Sequence, residues 1–138
     1  MLNRRKHPRL PVIKDFAKEV HIFIGKEMLA GIILNLSAGG ILLLTYSDIP
    51  KDSNLSLYLD LPNIHTKQIK GKIIRAIKKA VMYELAIEFI QIDTLDSKKI
   101  NRIAIDYTDC ENKINLGAKD VCRRECSYFS LCDKNNKL

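Results

Sequence analysis

Residues 28–45 read MLAGIILNLSAGGILLLT, two apolar runs joined by a few small residues. The runs predict strands over Met28–Leu36 and Ile41–Thr45, and Ala38-Gly39-Gly40 is a turn signal, because glycine accepts the tight backbone conformations of turns. The stretch is interrupted by polar residues and is shorter than the ~20 apolar residues that cross a bilayer. We therefore expect a strand-turn-strand unit in a folded domain, and no membrane span.

Similar patterns continue on both sides of this unit. The clearest alternation places Leu55, Leu57, Leu59 and Leu61 on one face of a strand, and residues 83–89 alternate in the same way. Further candidate strands are Val20–Ile24 and Ile69–Ile77, with turn signals at Gly25-Lys26, Asp48-Ile49-Pro50 and Lys78-Lys79. About six short strands favour a closed antiparallel barrel or a compact sandwich, because closure removes exposed strand edges.

One helix is predicted after the strands. Ile100, Ile103, Ala104 and Tyr107 recur at helical spacing. Asp96 is the predicted N-cap, and Leu95 is placed to pack as a hydrophobic staple against Ile100. We expect the helix to pack on one end of the barrel.

The net charge of +7 is concentrated at the N-terminus. Residues 1–14 contain five basic residues and no acidic one, whereas residues 15–109 contain equal numbers of both. A concentrated basic arm indicates a localised anionic ligand such as a phosphate, and a solvated, flexible terminus gives the same pattern. On charge alone both readings stay open.

Two short motifs connect this arm with the first turn. Arg5-Lys6-His7-Pro8-Arg9 has the form RxxxR, and residues 35–40 have the form NxSxxG through Asn35, Ser37 and Gly40. Together, in this order and about 25 residues apart, they closely resemble the signature of the PilZ domain family. The resemblance covers roughly residues 4–108 and implies a mainly β fold, a six-stranded antiparallel barrel followed by one C-terminal helix.

The resemblance also implies a ligand, the second messenger cyclic di-GMP, and the residues that bind it. Arg5 and Arg9 are the first candidates, because the planar fork of arginine matches the O6 and N7 acceptors of guanine bidentately. Arg4 is a further candidate for a phosphate. On the turn the candidates are Asn35, Ser37, Gly39 and Gly40, with Gly40 expected to adopt positive φ and to let the ligand approach the backbone.

The implied role is that of a receptor without catalysis. Ligand binding would order the arm on residues 1–14 and signal to an unidentified effector protein that controls motility, surface attachment (biofilm) or exopolysaccharide output. The stoichiometry of the ligand and the oligomeric state, monomer or homodimer, stay open. We find no nucleophile and base at a suggestive spacing, which also argues against an enzyme.

The last 29 residues contain all four cysteines: Cys110, Cys122, Cys126 and Cys132. We predict a division of the chain into the ligand-binding domain, residues 1–109, and a cysteine-containing tail, residues 110–138. Four thiolates suit zinc or an iron–sulfur cluster, but the spacing matches neither zinc ribbons nor ferredoxins. Free thiols in a reducing cytoplasm, where we expect the protein because no secretory signal is evident, explain them equally well.

Two alternative functions follow from other parts of the sequence. The first alternative is a small nucleic-acid-binding barrel with a metal-bound tail. It is suggested by a basic stretch that contains Lys67, Lys70, Lys72, Arg75, Lys78 and Lys79. Nucleic acid is the weaker prediction, because no aromatic residues are interleaved for base stacking. The other alternative is a PilZ-like barrel that binds no nucleotide and acts only as a protein-interaction module.

Overall fold

The computed structural model describes residues 10–11, 19–61, 64–117 and 122. These residues form nine strands and one helix. The strands are β1 (Leu10–Pro11), β2 (Glu19–Ile24), β3 (Glu27–Ser37), β4 (Gly40–Thr45), β5 (Asn54–Leu57), β6 (Asp60–Leu61), β7 (Ile64–His65), β8 (Ile69–Lys79) and β9 (Met82–Gln91). The helix is α1 (Thr94–Asn115). Within this part of the chain, no helix has both the length and the apolarity needed to cross a membrane.

Six of the strands close into an antiparallel barrel. Hydrogen-bonded neighbours follow the order β3-β2-β5-β8-β9-β4, and β4 returns to β3. β6 and β7 form a separate two-stranded ladder. The mainly β fold, a closed six-stranded antiparallel barrel followed by one helix, is therefore confirmed.

The alternation of apolar residues in the sequence explains which side chains fill the interior of the barrel. On β4, Ile41, Leu43 and Thr45 point inward, while Leu42 and Leu44 are only partly buried. Their inward neighbours on β9 are Leu85 and Ile87. The largest fully buried side chains are Ile22, Ile33, Leu36, Leu43, Leu57, Leu59, Ile64, Ile69, Ile73 and Leu85. All ten are aliphatic, so burial of apolar surface is the dominant stabilisation.

β1 extends the barrel at the end of β3. Asn35 and Leu36 pair with β4 on one side and with Pro11 and Leu10 on the other. β1 therefore pairs with the same edge of β3 as β2 does, and β2 pairs with the earlier residues 27–32 of that strand. Leu10 and Pro11 fall inside the predicted flexible arm, but they form a strand.

Two details of the strand prediction were wrong. The alternation of residues 55–61 continues through buried Leu59 and Leu61, yet the ladder with β8 ends at Leu57, and β6 pairs with β7 instead. The turn expected at Lys78-Lys79 lies two residues later, at Ala80-Val81, where Ala80 has φ 55°. Neither residue is a usual turn former, so the sequence carries no local signal there.

The helix prediction is confirmed in its core face and corrected at its start. Ile100, Ile103 and Ala104 are buried, and the helix packs near β1, β3 and β7. Asp93, not Asp96, is the N-cap, and its carboxylate accepts from the backbone N–H of Leu95 at 3.1 Å. Asp96 lies in the first turn and accepts from the backbone N–H of Lys67 at 2.9 Å. Leu95 is 73% exposed, so the predicted staple does not form.

Candidate ligand-binding site

The β3–β4 turn is organised by one hydroxyl. Ser37 pairs with Gly40, and only two residues connect the strands. The Ser37 side chain is 7% exposed, and its Oγ accepts from the backbone N–H groups of Gly39 at 3.1 Å and Gly40 at 3.2 Å. Its own hydroxyl hydrogen points to the Gly40 carbonyl oxygen at 3.4 Å, a long contact. Ser37 therefore fixes the turn while its proton is held only weakly.

The turn is also attached to β9. The backbone N–H of Phe89 donates to the carbonyl oxygen of Gly39 at 2.9 Å, and Gly40 pairs with Glu88. A Cβ on Gly40 would overlap the carbonyl oxygen of Ile87. Gly40 does not have positive φ, so that expectation was wrong, and its lack of a side chain is required by the close approach of β9.

Asn35 lies where three strands meet. It pairs with Pro11 of β1 and Leu42 of β4, next to an irregularity between Ile33 and Asn35 that shifts the β3–β4 register. Such bulges reorient side chains and are frequent beside functional sites. Its side chain is partly exposed on the outer face, whereas neighbouring Leu36 is fully buried. Asn35 can therefore meet a ligand on the outside of the barrel.

Sequence reasoning missed the surface that continues from Asn35. Cross-strand pairs run from Asn35 to Leu42, from Leu42 to Ala86, and from Ala86 to Arg75. These side chains share the outer face, and four strands at ~4.8 Å spacing make the row roughly 14 Å long. We call Leu42, Ala86 and Arg75 the shelf. Arg75 stood out in the sequence only as part of a basic stretch, because its position opposite Ala86 depends on strand pairing.

Three of the predicted ligand-binding residues, Arg4, Arg5 and Arg9, lie outside the described residues. The structure therefore brings together only Asn35, Ser37, Gly39 and Gly40. The structure also gives the direction of β1 relative to the β3–β4 turn. In the antiparallel pairing, the step from Pro11 back to Leu10 on β1 matches the step from Asn35 forward to Leu36 on β3. The N-terminal end of β1 thus lies toward Ser37 and the turn.

The cysteines are only partly described. Cys110 is on α1, which continues past Asp109 to Asn115, so the predicted division at residues 109 and 110 falls within the helix. Cys110 is a free thiol, Cys122 is partly buried, and Cys126 and Cys132 lie outside the described residues. Among the residues that the structure describes, no cluster of three or more His, Cys, Asp or Glu could hold a metal. The metal hypothesis stays a prediction.

Other concave surfaces lie away from the turn. A depression of about 320 Å³ is lined by His21, Phe23, Tyr58 and Asp60, among others. A second, of about 340 Å³, lies between Phe23, Asn54, Lys70 and Ile90. Neither includes a residue of the predicted site.

The family comparison identifies this arrangement. Residues 3–106 match the PilZ domain, which is most of the chain, and the protein belongs to the PilZ family. No curated protein sequence matches the chain.

Several solved structures share the fold. They include the inhibitor of motility MotI/DgrA from Bacillus subtilis, with TM-score 0.62 and 22% identity over 83% of this chain and 53% of that one. MrkH from K. pneumonia, solved as a complex with c-di-GMP, has TM-score 0.62 and 20% identity over 83% and 56%. YcgR from Escherichia coli, also in complex with c-di-GMP, has TM-score 0.56 and 14% identity over 84% and 50%. The chain therefore spans about half the length of these proteins.

Proposed function

We propose that this protein is a receptor for cyclic di-GMP, which it holds between the N-terminal arginine arm and the β3–β4 turn. The observation that carries the proposal is the pairing of β1 with Asn35 and Leu36, because Leu10, the residue that follows the RxxxR motif in the sequence, lies beside the NxSxxG motif. Membership of the PilZ family and the similarity in fold to two c-di-GMP complexes support it.

The arm has the reach that this role requires. Arg9 is bonded to Leu10, so its Cα atom can be no more than about 3.8 Å from that of Leu10. Arg5 is five residues before Leu10 and can extend at most roughly 18 Å from it at ~3.6 Å per residue. Both arginines can therefore contact a dinucleotide that covers the turn and Asn35.

The ligand offers groups that these side chains recognise. Each guanine presents O6 and N7 acceptors to the fork of Arg5 or Arg9, and the same guanidinium groups can engage the phosphodiesters. The amide of Asn35 both donates and accepts, so it can pair with a guanine edge. Leu42 and Ala86 offer an apolar surface for a base, and Arg75 a cation at its far end.

Ser37 has two compatible tasks in this proposal. Its oxygen holds the N–H groups of Gly39 and Gly40, which keeps the turn in shape. Its hydrogen, only weakly placed on the Gly40 carbonyl, can rotate to a ligand acceptor without releasing the turn. The ligand thus binds to a surface that is already organised.

Binding would order the arm and change the surface that an effector protein recognises. The receptor has no catalytic function of its own. It acts in the cytoplasm, and its outputs are those of the family resemblance, namely motility, attachment or exopolysaccharide. The cysteines are a separate question, and metal analysis of the purified protein, with an absorption spectrum for iron–sulfur clusters, answers it.

The test is calorimetric titration of cyclic di-GMP into the reduced full-length protein. We expect saturable binding, with cyclic di-AMP and GTP failing to compete. Arg5→Ala and Arg9→Ala should each weaken binding by about 1–3 kcal/mol, the value of one bidentate arginine–guanine contact. Lys6→Ala is the matched control, because it removes a charge from the same arm at a position that the motif leaves variable.

The outcomes separate the alternatives. Equal losses in the Lys6 variant and in the arginine variants would show that only charge matters and would refute base recognition. Absence of binding in the intact protein would refute the receptor and favour a module that contacts only proteins. Binding to mixed DNA or RNA that collapses with added salt would favour the nucleic-acid alternative.

A further inference from the structure

Within the part of the chain that the structure describes, the β8–β9 hairpin leaves one edge of β8 open. β8 pairs with β5 only over residues 69–72. At Ile73 the backbone N–H donates to the Ser53 carbonyl oxygen at 3.0 Å, and the carbonyl oxygen accepts from the Asp52 N–H at 2.7 Å. Over residues 74–79, β8 has only β9 as a neighbour within the described chain. These six residues span roughly 20 Å, an ordinary strand length. A further strand can therefore fit beside them.

The hairpin register shows which backbone groups face outward. Lys79 and Met82 flank a two-residue turn, so they form its hydrogen-bonded closing pair. In an antiparallel ladder hydrogen-bonded pairs alternate with non-hydrogen-bonded ones. Residues 77 and 75 therefore point their backbone groups at β9, whereas Ala76 and Lys78 direct their N–H and C=O groups to the open edge.

The side chains of this segment are a mixture of apolar and basic groups. Ile74 is 44% exposed and Ile77 is 38% exposed. Arg75, Lys78 and Lys79 are exposed, and none makes an ion pair with a carboxylate in the described residues. By contrast, Lys72, where the pairing with β5 ends, lies 3.5 Å from the Asp52 carboxylate. The open edge is thus a positively charged strip with apolar positions.

We propose that the open edge of β8, residues 74–79, binds an extended acidic segment of a protein partner as an added strand. The backbone groups of Ala76 and Lys78 would supply the main-chain hydrogen bonds of strand addition. Arg75, Lys78 and Lys79 select acidic side chains by charge complementarity, and Ile74 and Ile77 contact apolar ones. This surface meets the proposed ligand site only at Arg75, the far end of the shelf, and the backbone pairing at Ala76 and Lys78 does not depend on the ligand.

Other occupants fit the edge less well. In a second copy of this chain the same three cations would face their counterparts, and basic side chains on edge strands suppress such pairing. The arm of residues 1–14 has no acidic residue, and residues 110–138 contain more basic than acidic ones. An anionic membrane would satisfy the cations but offers no strand to the backbone groups. An acidic strand of another protein satisfies both.

The test uses a capped eight-residue peptide of alternating glutamate and valine, titrated into the isotopically labelled full-length protein. We expect saturable shifts of the amide resonances of residues 74–79 and slower hydrogen exchange at the N–H groups of Ala76 and Lys78. A lysine–valine peptide should not bind. The glutamate–valine peptide with alternate amides methylated keeps its charge and should bind at least about tenfold more weakly, since it loses the edge hydrogen bonds.

Variants of the protein locate the contact. Lys78→Glu should weaken the peptide at least about tenfold, because it reverses one charge at the centre of the strip. Lys98→Glu, an exposed lysine on α1, is the matched control and should change nothing. Ala76→Pro removes the outward N–H, and its unfolding curve shows whether the variant folds. If it does not fold, Lys78→Glu and the methylated peptide still test whether the peptide binds at this edge.

Several results would overturn the proposal. They are no binding at millimolar peptide, equal binding of the lysine–valine peptide, or shifts that map outside residues 74–79. Dimerisation that Lys78→Glu abolishes would make a second copy the occupant. Displacement of the peptide by phosphatidylglycerol vesicles, but not by phosphatidylcholine vesicles, would make the occupant a membrane. Failure of cyclic di-GMP binding would not affect the result.

Discussion

Two hairpins of the barrel, β3–β4 and β8–β9, differ in how far the rest of the molecule determines their turns. Each connects long antiparallel strands through two residues. The β3–β4 turn is held by the Ser37 hydroxyl and by the N–H of Phe89 on a third strand. The β8–β9 turn projects from the barrel, and Val81 at its tip is 76% exposed.

This difference predicts which substitutions the fold tolerates. A change in the β3–β4 turn moves β4 against β9 and therefore disturbs the barrel, whereas a change at Ala80 stays within its hairpin. The same difference separates function. In our proposals, the β3–β4 turn offers a preorganised surface to a small ligand, and the β8–β9 hairpin presents a strand edge to a larger partner. Four substitutions test this comparison, in order of decreasing effect.

Gly40→Ala should have the largest effect. The added methyl group meets the carbonyl oxygen of Ile87, which is backbone and cannot rotate away. We expect a loss of about 3 kcal/mol in the free energy of unfolding by urea, at the upper end of overpacking costs. Gly31→Ala is the control, since its Cβ would lie 3.4 Å from the Leu44 carbonyl oxygen, at the limit of an ordinary contact. Equal losses in both would show that the β3–β4 turn has no special coupling to β9.

Ser37→Ala should be next. It leaves the N–H groups of Gly39 and Gly40 without their acceptor in a partly buried turn, for which we expect a loss of about 2 kcal/mol. Ser53→Ala removes one exposed turn hydrogen bond to the Pro50 carbonyl and should cost less than about 1 kcal/mol. The same urea titration measures both. A Ser37 variant no less stable than the Ser53 variant would contradict the role of the hydroxyl in the turn.

Arg9→Lys tests the ligand side of the comparison. Lysine keeps the charge but loses the bidentate fork, so we expect cyclic di-GMP to bind about tenfold more weakly in a calorimetric titration. Lys79→Ala, on the other hairpin, should leave this affinity unchanged. A loss in the Lys79 variant as large as that in the Arg9 variant would mean that the general positive charge of the protein attracts the ligand.

The sequence predicts the barrel well because its strands are regular. Residues 28–45 contain the strands and the turn of the β3–β4 hairpin, and the helix core follows from Ile100, Ile103 and Ala104. The end of β5 at Leu57 could not be predicted, because Leu59 and Leu61 keep the same alternation after the chain leaves the barrel. Periodicity reports burial, and it does not report which strand supplies the partner.

The candidate site was predictable as far as its motifs extend. Asn35, Ser37 and Gly40 do lie together at one end of β3, but the reason for Gly40 is the carbonyl of Ile87, which is 47 residues away in the sequence. The shelf depends on three strand registers, two of which include irregularities. Short motifs in the sequence identify residues that are close along the chain. A surface made of residues from several strands can be identified only when the strand pairing is known.

Ala80→Gly should give the smallest effect, with the opposite sign. Ala80 has φ 55°, where its Cβ crowds the backbone at a cost of about 1–2 kcal/mol that glycine does not incur. Glycine also gains freedom in the unfolded chain, which offsets about 0.5–1 kcal/mol of that relief. We expect a net stabilisation of about 0.5 kcal/mol in the urea titration. The exchange of glycine and alanine would then destabilise the hairpin held by the barrel and stabilise the one that projects from it, and a loss of stability at Ala80 would show that this turn too is under tertiary constraint.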